Sequence, residues 1–457
     1  MDHDNAKRGA WGSRIAFVFA AAGSAIGLGN IWRFPYVTGE NGGAAFVFIY
    51  IGFVVLIGLP VMIAELALGR ATQLNPVGAF RKIVPKSMWK GVGMLGVLTG
   101  IGILSYYSVI AGWTVGYFFK TLTGTFAQTV SSEQSVELFT QFVGNPAYNT
   151  LLLFVFVSLT ALVVMGGISS GIERWVKILM PLLLILLILL TLRSVTLPGA
   201  AKGLEFYLNP DFSRITPVTV VMALGQALFS LSLGMGAMIT YGSYISKSDN
   251  LVVSAGWVCL FDTAIAVMAG FLIFPALFSM NIDPEGGAGL VFVVLPTIFN
   301  EMPLGGIFGA GFFLLLSVAA LTSTISLFEV CVSYLVDEHR WKRRKAALII
   351  ALVTVIFGIP SALSFGGVTW LSSIPGLGMG FLDLLNILLG NYSLTLGALL
   401  ISVFVGYRWG IKAVRAEIEQ NHNIFYFRHA WTFLIRFICP VAIFCIFVYI
   451  VATRNYF

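Results

Sequence analysis

The stretch AAGSAIGLGNIWRFPY, Ala21 to Tyr36, decides the fold. It begins apolar enough to enter a bilayer. It then carries Gly23, Gly27 and Gly29, a bare Asn30, Arg33 and Pro35 where a spanning helix should be most regular. A helix broken in hydrocarbon leaves amide and carbonyl groups without partners, at several kcal/mol each. The chain can tolerate that only where ligands or water replace the lost bonds.

The rest of the chain confirms that the setting is a membrane. Of 457 residues, 58% are hydrophobic and only 10% are charged, and the mean hydropathy is +0.92. The class is a polytopic membrane protein. Gly 49 and Phe 38 suit membrane helices, where small residues permit close approach and aromatics fill gaps. The net charge of +7 reads as topology rather than as a nucleic-acid signal. Cys259, Cys331, Cys439 and Cys445 all sit in apolar runs, with neither metal-site nor disulfide spacing, and are expected to be small buried hydrophobes. The four histidines are scattered and form no dyad. The polar first 14 residues and the length of the first apolar run argue against a cleavable signal peptide.

Apolar segments of bilayer length recur, and we place spans near 12–37, 42–70, 89–120, 148–166, 172–193, 215–246, 251–279, 304–336, 344–361, 376–406 and 429–452. Basic residues collect in the loops 70–90, 337–345 and 407–428, which fall on one side. The loop 121–147 and the acidic 281–303 fall on the other. The positive-inside rule then predicts a cytoplasmic N-terminus and, with eleven spans, an extracellular C-terminus.

A second interruption, FSLSLGMGAMITYGSY (Phe229–Tyr244), lies inside the sixth span, with Ser230 and Ser232 followed by Gly234 and Gly236. One broken helix in each half is the pattern of an inverted five-plus-five repeat with a site at the midplane. The N-terminal end of a half-helix offers N–H groups and positive dipole to an anion. Freed carbonyls, serine hydroxyls and an asparagine oxygen suit Na⁺. Together they imply a zwitterionic substrate whose carboxylate meets the half-helix dipole, with Na⁺ nearby. Closely spaced glycines also occur in dinucleotide folds, but the strand and βαβ context those require is absent.

GSAIGLGNIWRFPY followed by ENGGAAF (Glu40–Phe46), LGQALFSLSLGMGAMITYGSY in span 6 and AALTSTIS in span 8 resemble the signature of the neurotransmitter:sodium symporter family. The resemblance covers nearly the whole chain. It implies an all-α fold of about eleven transmembrane helices, with broken helices 1 and 6. Repeat one would cover about 12–193, repeat two about 215–406, and an extra helix about 429–452. It further implies Na⁺-coupled uptake across a bacterial plasma membrane and two sodium sites; an enzyme is not expected, because the sequence shows no nucleophile–base pair or metal set.

On that resemblance the first sodium site falls on Ala25, Asn30, Ser230 and Asp262, and the second on Gly23, Ile26, Ala319, Thr322 and Ser323. Many members carry asparagine where this chain has Asp262. A fixed carboxylate there supplies the negative charge that animal relatives take from chloride, so transport is expected to be chloride-independent. The substrate pocket is expected to be lined by Ala25, Leu28, Gly29, Ile103, Tyr107, Phe229, Ser230, Ser232, Met235, Ser323 and Leu327, with the Tyr107 hydroxyl on the substrate carboxylate. Monoamine carriers have aspartate at the position of Gly27, so glycine favours an α-amino acid. The apolar remainder favours large hydrophobic L-amino acids over a range of sizes. A carrier for one amino acid, or a non-transporting sensor of the same fold, is the alternative.

The resemblance also places an outer ion-pair gate at Arg33 and Asp383, above Phe229. It places an inner pair at Arg8 and Asp337, packed by Trp11 and Tyr244. Glu65, ionisable within span 2, is expected to accept hydrogen bonds from a broken backbone. Glu329 is expected only to face the hydrated interior. Gly171 and Pro181 suggest that the cytoplasmic part of span 5 unwinds, since proline removes one helical hydrogen bond; a static kink is the alternative.

Overall fold

The structure, a computed structural model, describes residues 9–125, 132–282, 291–454 and 456. Among these residues the regular elements are all helical. Nine helices among the described residues are long and apolar enough to cross a membrane: Ala44–Thr72, Lys90–Leu122, Pro146–Met165, Ile168–Val195, Leu251–Ser279, Gly305–His339, Arg343–Leu363, Phe381–Ile418 and Arg428–Thr453. A tenth span is the pair Arg14–Ala25 and Gly29–Glu40, bent by 51°. The eleventh is the broken sixth span, Pro217–Ser230 and Ala237–Gly242. The chain is therefore an all-α polytopic membrane protein with an inverted five-plus-five repeat, each half opening on a broken helix.

Both breaks have local causes. In span 1 the helix stops at Ile26, whose backbone turns extended (φ −73°, ψ 107°), and resumes as a π-helical turn over Gly29–Arg33. In span 6, Ser232, Gly234 and Gly236 all take positive φ (53°, 82° and 79°). Glycine adopts that region freely. At Gly234 a Cβ would also run into the Leu394 carbonyl of span 10, so the break cannot carry a side chain there.

Several boundaries differ from the sequence reading. Span 5 begins with a π-helical turn, Ile168–Glu173, that contains Gly171. Pro181 lies inside the continuous helix Arg174–Val195. The segment 407–428, expected to be a loop, begins as a continuation of span 10: Gly410 turns the chain at φ 90°, and the helix Ile411–Ile418 buries Val414, Glu417 and Ile418. A short amphipathic helix looks like a polar loop when its burying partner is unknown. The loop 121–147 contains the helix Ser132–Val143, and part of the acidic segment 281–303 lies outside the described residues. Cys259, Cys331 and Cys439 are buried as expected, but Cys445 is exposed on span 11.

Candidate transport site

The break in span 1 exposes backbone groups, and side chains from other spans meet them one by one. The Ser24 carbonyl accepts from Ser232 Oγ at 3.0 Å and Ser323 Oγ at 3.2 Å. The Ile26 carbonyl accepts from Ser323 Oγ at 3.3 Å and Thr322 Oγ1 at 3.4 Å. The Gly29 carbonyl accepts from Gln226 Nε2 at 2.8 Å. The Gly27 N–H donates to Asn30 Oδ1 at 3.1 Å, and the Leu28 N–H to Tyr107 Oη at 2.9 Å. Spans 3, 6 and 8 thus close on one irregular turn, as buried backbone groups demand. In span 6 the Gly234 N–H donates to Glu65 Oε1 at 2.7 Å, so Glu65 supports the broken backbone.

Three of the four residues assigned to the first sodium site, Asn30, Ser230 and Asp262, form a tight buried cluster, while Ala25 lines the chamber beside it. Asn30 Nδ2 donates to Asp262 Oδ1 at 2.7 Å and to Ser230 Oγ at 2.9 Å. Ser230 Oγ lies 2.8 Å and 2.9 Å from the two Asp262 carboxylate oxygens. Tyr50 completes the set by donating to Asp262 Oδ2 at 3.2 Å. Asp262 has no solvent exposure, and among the described residues it forms no ion pair. A carboxylate held only by neutral donors in a closed site is a strong claim on a cation. Tyr50 was not found from the sequence, because one tyrosine in an apolar run carries no signal of what it faces.

The second group also assembles. Thr322 Oγ1 and Ser323 Oγ converge on the Ile26 carbonyl, and Thr322 Oγ1 donates to the Ala319 carbonyl at 2.9 Å. Gly23 packs against Thr322 and Met180 of span 5, where an added Cβ would stand 3.3 Å and 3.2 Å from them. Apart from Asn30 Nδ2, which donates into the first group while its Oδ1 accepts from the Gly27 N–H, the converging atoms of both groups are oxygens, which suits a hard alkali cation. Among the described residues no three His, Cys, Asp or Glu side chains cluster as a transition-metal site would require.

Between the two groups lies a chamber with about 30 Å³ of free space. Ten of the eleven residues expected around a substrate line it: Ala25, Gly29, Ile103, Tyr107, Phe229, Ser230, Ser232, Met235, Ser323 and Leu327. Ser24 and Gly27 line it as well, while Leu28 borders a separate outer cavity. That outer cavity has about 240 Å³ and is walled largely by aromatics, including Trp32, Tyr106 and Phe292. Phe229, Gly29 and Tyr107 border both spaces, so the Phe229 ring stands between them.

Arg33 and Asp383 both line the outer cavity. The Arg33 guanidinium lies 5.0 Å from the Phe229 ring centroid and donates to Gln226 Oε1 at 2.8 Å. Gln226 therefore ties the gate residue to the span 1 break. It is a further residue the sequence did not single out, though it sits in the quoted span 6 motif. On the opposite face Arg8 lies outside the described residues. Trp11 Nε1 donates to the Tyr241 carbonyl at 3.1 Å, and its ring meets Tyr244 edge-on at 6.2 Å. Asp337 accepts from the Asn75 N–H at 2.8 Å.

Glu329 requires a correction. It does not face a hydrated interior: its exposure is zero, and it pairs with the Arg343 guanidinium and accepts from the Tyr244 hydroxyl at 2.6 Å. Arg343 comes from the basic loop read only as a topology signal. Its guanidinium reaches inward because a buried carboxylate needs a partner.

Two broken helices around an oxygen-lined, partly apolar chamber define a secondary transporter of the inverted-repeat type. The model of the Sodium:neurotransmitter symporter family matches residues 8–140 and 133–456, and the chain belongs to that family. It is a sodium-coupled transporter. It is similar to the uncharacterized sodium-dependent transporter YhdH of Bacillus subtilis, 40% identical over 447 residues, 98% of each chain. It is 31% identical over 498 residues to the sodium-dependent serotonin transporter of Drosophila melanogaster, covering 97% of this chain and 76% of that one. Among solved structures it resembles MhsT in complex with L-phenylalanine. The two share 45% identity and a TM-score of 0.88, with 96% of this chain and 99% of that one covered.

Proposed function

We propose that this protein imports hydrophobic L-amino acids together with Na⁺ by alternating access, without a requirement for chloride. The observation that carries the reading is the juxtaposition of the Asn30–Ser230–Asp262 cluster with a chamber walled by Ile103, Phe229, Met235 and Leu327. A carboxylate-bearing substrate in that chamber would share its negative charge with a cation at Asp262. Among the described residues lining the chamber none is charged, so a polar substrate side chain finds no ionic partner there. With Gly27 at the break, no acidic side chain is present among the described residues of the chamber to take a lone amine. The phenylalanine bound to the similar MhsT structure supports an amino-acid substrate of this size.

The free space suffices for about two waters. A leucine or phenylalanine side chain therefore enters only as Phe229 and Met235 swing aside, and methionine is the residue best suited to such repacking. In this reading Asp262 belongs to one sodium site and Thr322 and Ser323 to a second. Arg33, Phe229 and Asp383 gate the outside, with Asp337, Trp11 and Tyr244 on the inside. Gly171 and Pro181 let the start of span 5 unwind. The basic loops face the cytoplasm, as does the N-terminus.

The test is uptake of labelled leucine into proteoliposomes under an inward Na⁺ gradient, with a panel of competing amino acids. Inhibition by Ile, Val, Met, Phe, Tyr and Trp, with little by Asp or Lys, is expected. Full activity in gluconate is also expected. Loss of uptake without chloride would remove the role given to Asp262. Competition confined to one amino acid would favour a narrow carrier, and binding without flux a sensor.

A further inference from the structure

Arg70 ends span 2 with no solvent exposure, and all three of its guanidinium nitrogens have acceptors. Nε meets Glu417 Oε1 at 2.8 Å, Nη1 donates to the Asp249 carbonyl at 2.8 Å, and Nη2 donates to the Glu417 carbonyl. Glu417 lies on the helical continuation of span 10, while Asp249 lies in the segment joining spans 6 and 7. The same carboxylate takes Lys247 Nζ, 3.1 Å from each oxygen, and Gln420 Nε2 at 2.8 Å. Gln73 donates to the Ile245 carbonyl at 3.0 Å, and Asn421 to the Lys247 carbonyl at 2.8 Å. Three stretches distant in sequence are thus joined through one buried charge cluster.

A second cluster joins other elements of the same face. Glu329 of span 8 pairs with Arg343 at the start of span 9, and Arg343 Nε donates to the Val164 carbonyl of span 4 at 2.8 Å. The short helix Pro76–Ile83 belongs with this group. Its Arg81 pairs with Glu338, and Asn75, preceding it, donates to Asp337 and Glu338. Gln73, at φ 55°, separates that helix from span 2. Contacts at Trp11 and Tyr244 are of another kind: an indole N–H on a carbonyl, a phenol on a carboxylate and edge-on rings. Neutral donors of that sort are readily replaced by water, whereas opening the Arg70 cluster would strand a buried guanidinium.

We propose that Arg70 is a positioning residue that makes the cytoplasmic ends of spans 2 and 10 and the 6–7 segment one body throughout the cycle. Inward opening then runs along the seam marked by Trp11 and Tyr244, never between spans 2 and 10. The inference rests on the alternating-access reading.

The test uses spin-label pairs in the full-length protein carrying Cys445→Ser, since Cys445 is the exposed cysteine among the described residues. Ser248→Cys with Ala413→Cys spans the cluster, and Ser248→Cys with Arg344→Cys spans the seam; all three positions are exposed. Distances are compared in Na⁺ with leucine and in Na⁺-free buffer. The first pair is expected to give superimposable distributions and the second to shift. Arg70→Gln, or Glu417→Gln if that variant does not fold, is expected to broaden the first pair. A first pair that shifts as far as the second, a second pair that does not shift, or a first pair unaffected by both substitutions would overturn the proposal. Wild-type uptake is measured separately, so a failure of the transport reading is recognised apart from a failure of this one.

Discussion

Replacing Asp262 by asparagine removes one charge from the candidate sodium cluster and almost no volume. The new amide still accepts from Asn30 Nδ2, now at 2.7 Å from the carboxylate, and can donate to Ser230 and Tyr50, so the hydrogen-bond set can reform. The fold should lose only about 1 kcal/mol, the net worth of an ordinary buried hydrogen bond. The effect on Na⁺ is larger. Unit charges about 4 Å apart at an effective dielectric near 20 attract by about 4 kcal/mol. Asn30, Ser230 and Tyr50 already stabilise the carboxylate in the absence of a cation, so we retain about half of that attraction. A loss of about 2 kcal/mol corresponds to a roughly 30-fold rise in the Na⁺ concentration for half-saturation. The assay is Na⁺ titration of labelled-leucine binding to purified protein, with thermal unfolding as the control for folding. A rise below about threefold, or ~0.6 kcal/mol, would refute the reasoning. It would mean that the Asp262 charge is not part of the cation's environment.

Three further outcomes follow from the same geometry. In Gly27→Ala the new Cβ would stand 2.7 Å from Tyr107 Oη and closer still to Ser323 Oγ, both of which hold the span 1 break. Leucine binding should weaken at least about tenfold, or ~1.4 kcal/mol, and binding within twofold would contradict the role of that close approach. Arg343→Gln leaves Glu329 buried and unpaired, at a cost of about 3–5 kcal/mol. The double variant Glu329→Gln with Arg343→Gln should recover much of the lost thermal stability; equal destabilisation of the two variants would show that charge is not the cause. Pro181→Ala restores a helical hydrogen bond and should slow Na⁺-driven uptake while raising the melting temperature. Unchanged uptake and unchanged inward accessibility would leave Pro181 as a static kink.

How much of the site was legible depended on the kind of signal. Gly23, Gly27, Gly29, Asn30, Ser230 and Ser232 stood out because each is costly or useless in a plain spanning helix, so their presence demanded a reason. Glu65 was legible for the same reason: a carboxylate in hydrocarbon must serve a partner, and the bond from the Gly234 N–H supplies it. Tyr50, Gln226 and Arg343 were not legible. Each belongs to a residue type that is ordinary in its own segment and becomes informative only through what it touches. Glu329 was visible as an anomaly, but its partner lies 14 residues away across a turn, and nothing local chose Arg343 over its basic neighbours.

The sequence alone therefore determined the membrane class, the eleven spans, the two breaks and the candidate ion and substrate residues. These are properties of single segments, set by the cost of putting polar groups or irregular backbone into lipid. Tertiary structure alone decided how the freed backbone groups are satisfied, which cation meets Glu329, and that Glu417 beyond Gly410 locks onto Arg70. Those outcomes depend on which side chains from distant spans reach the same few ångströms, and a buried charge takes whichever partner the packing brings to it.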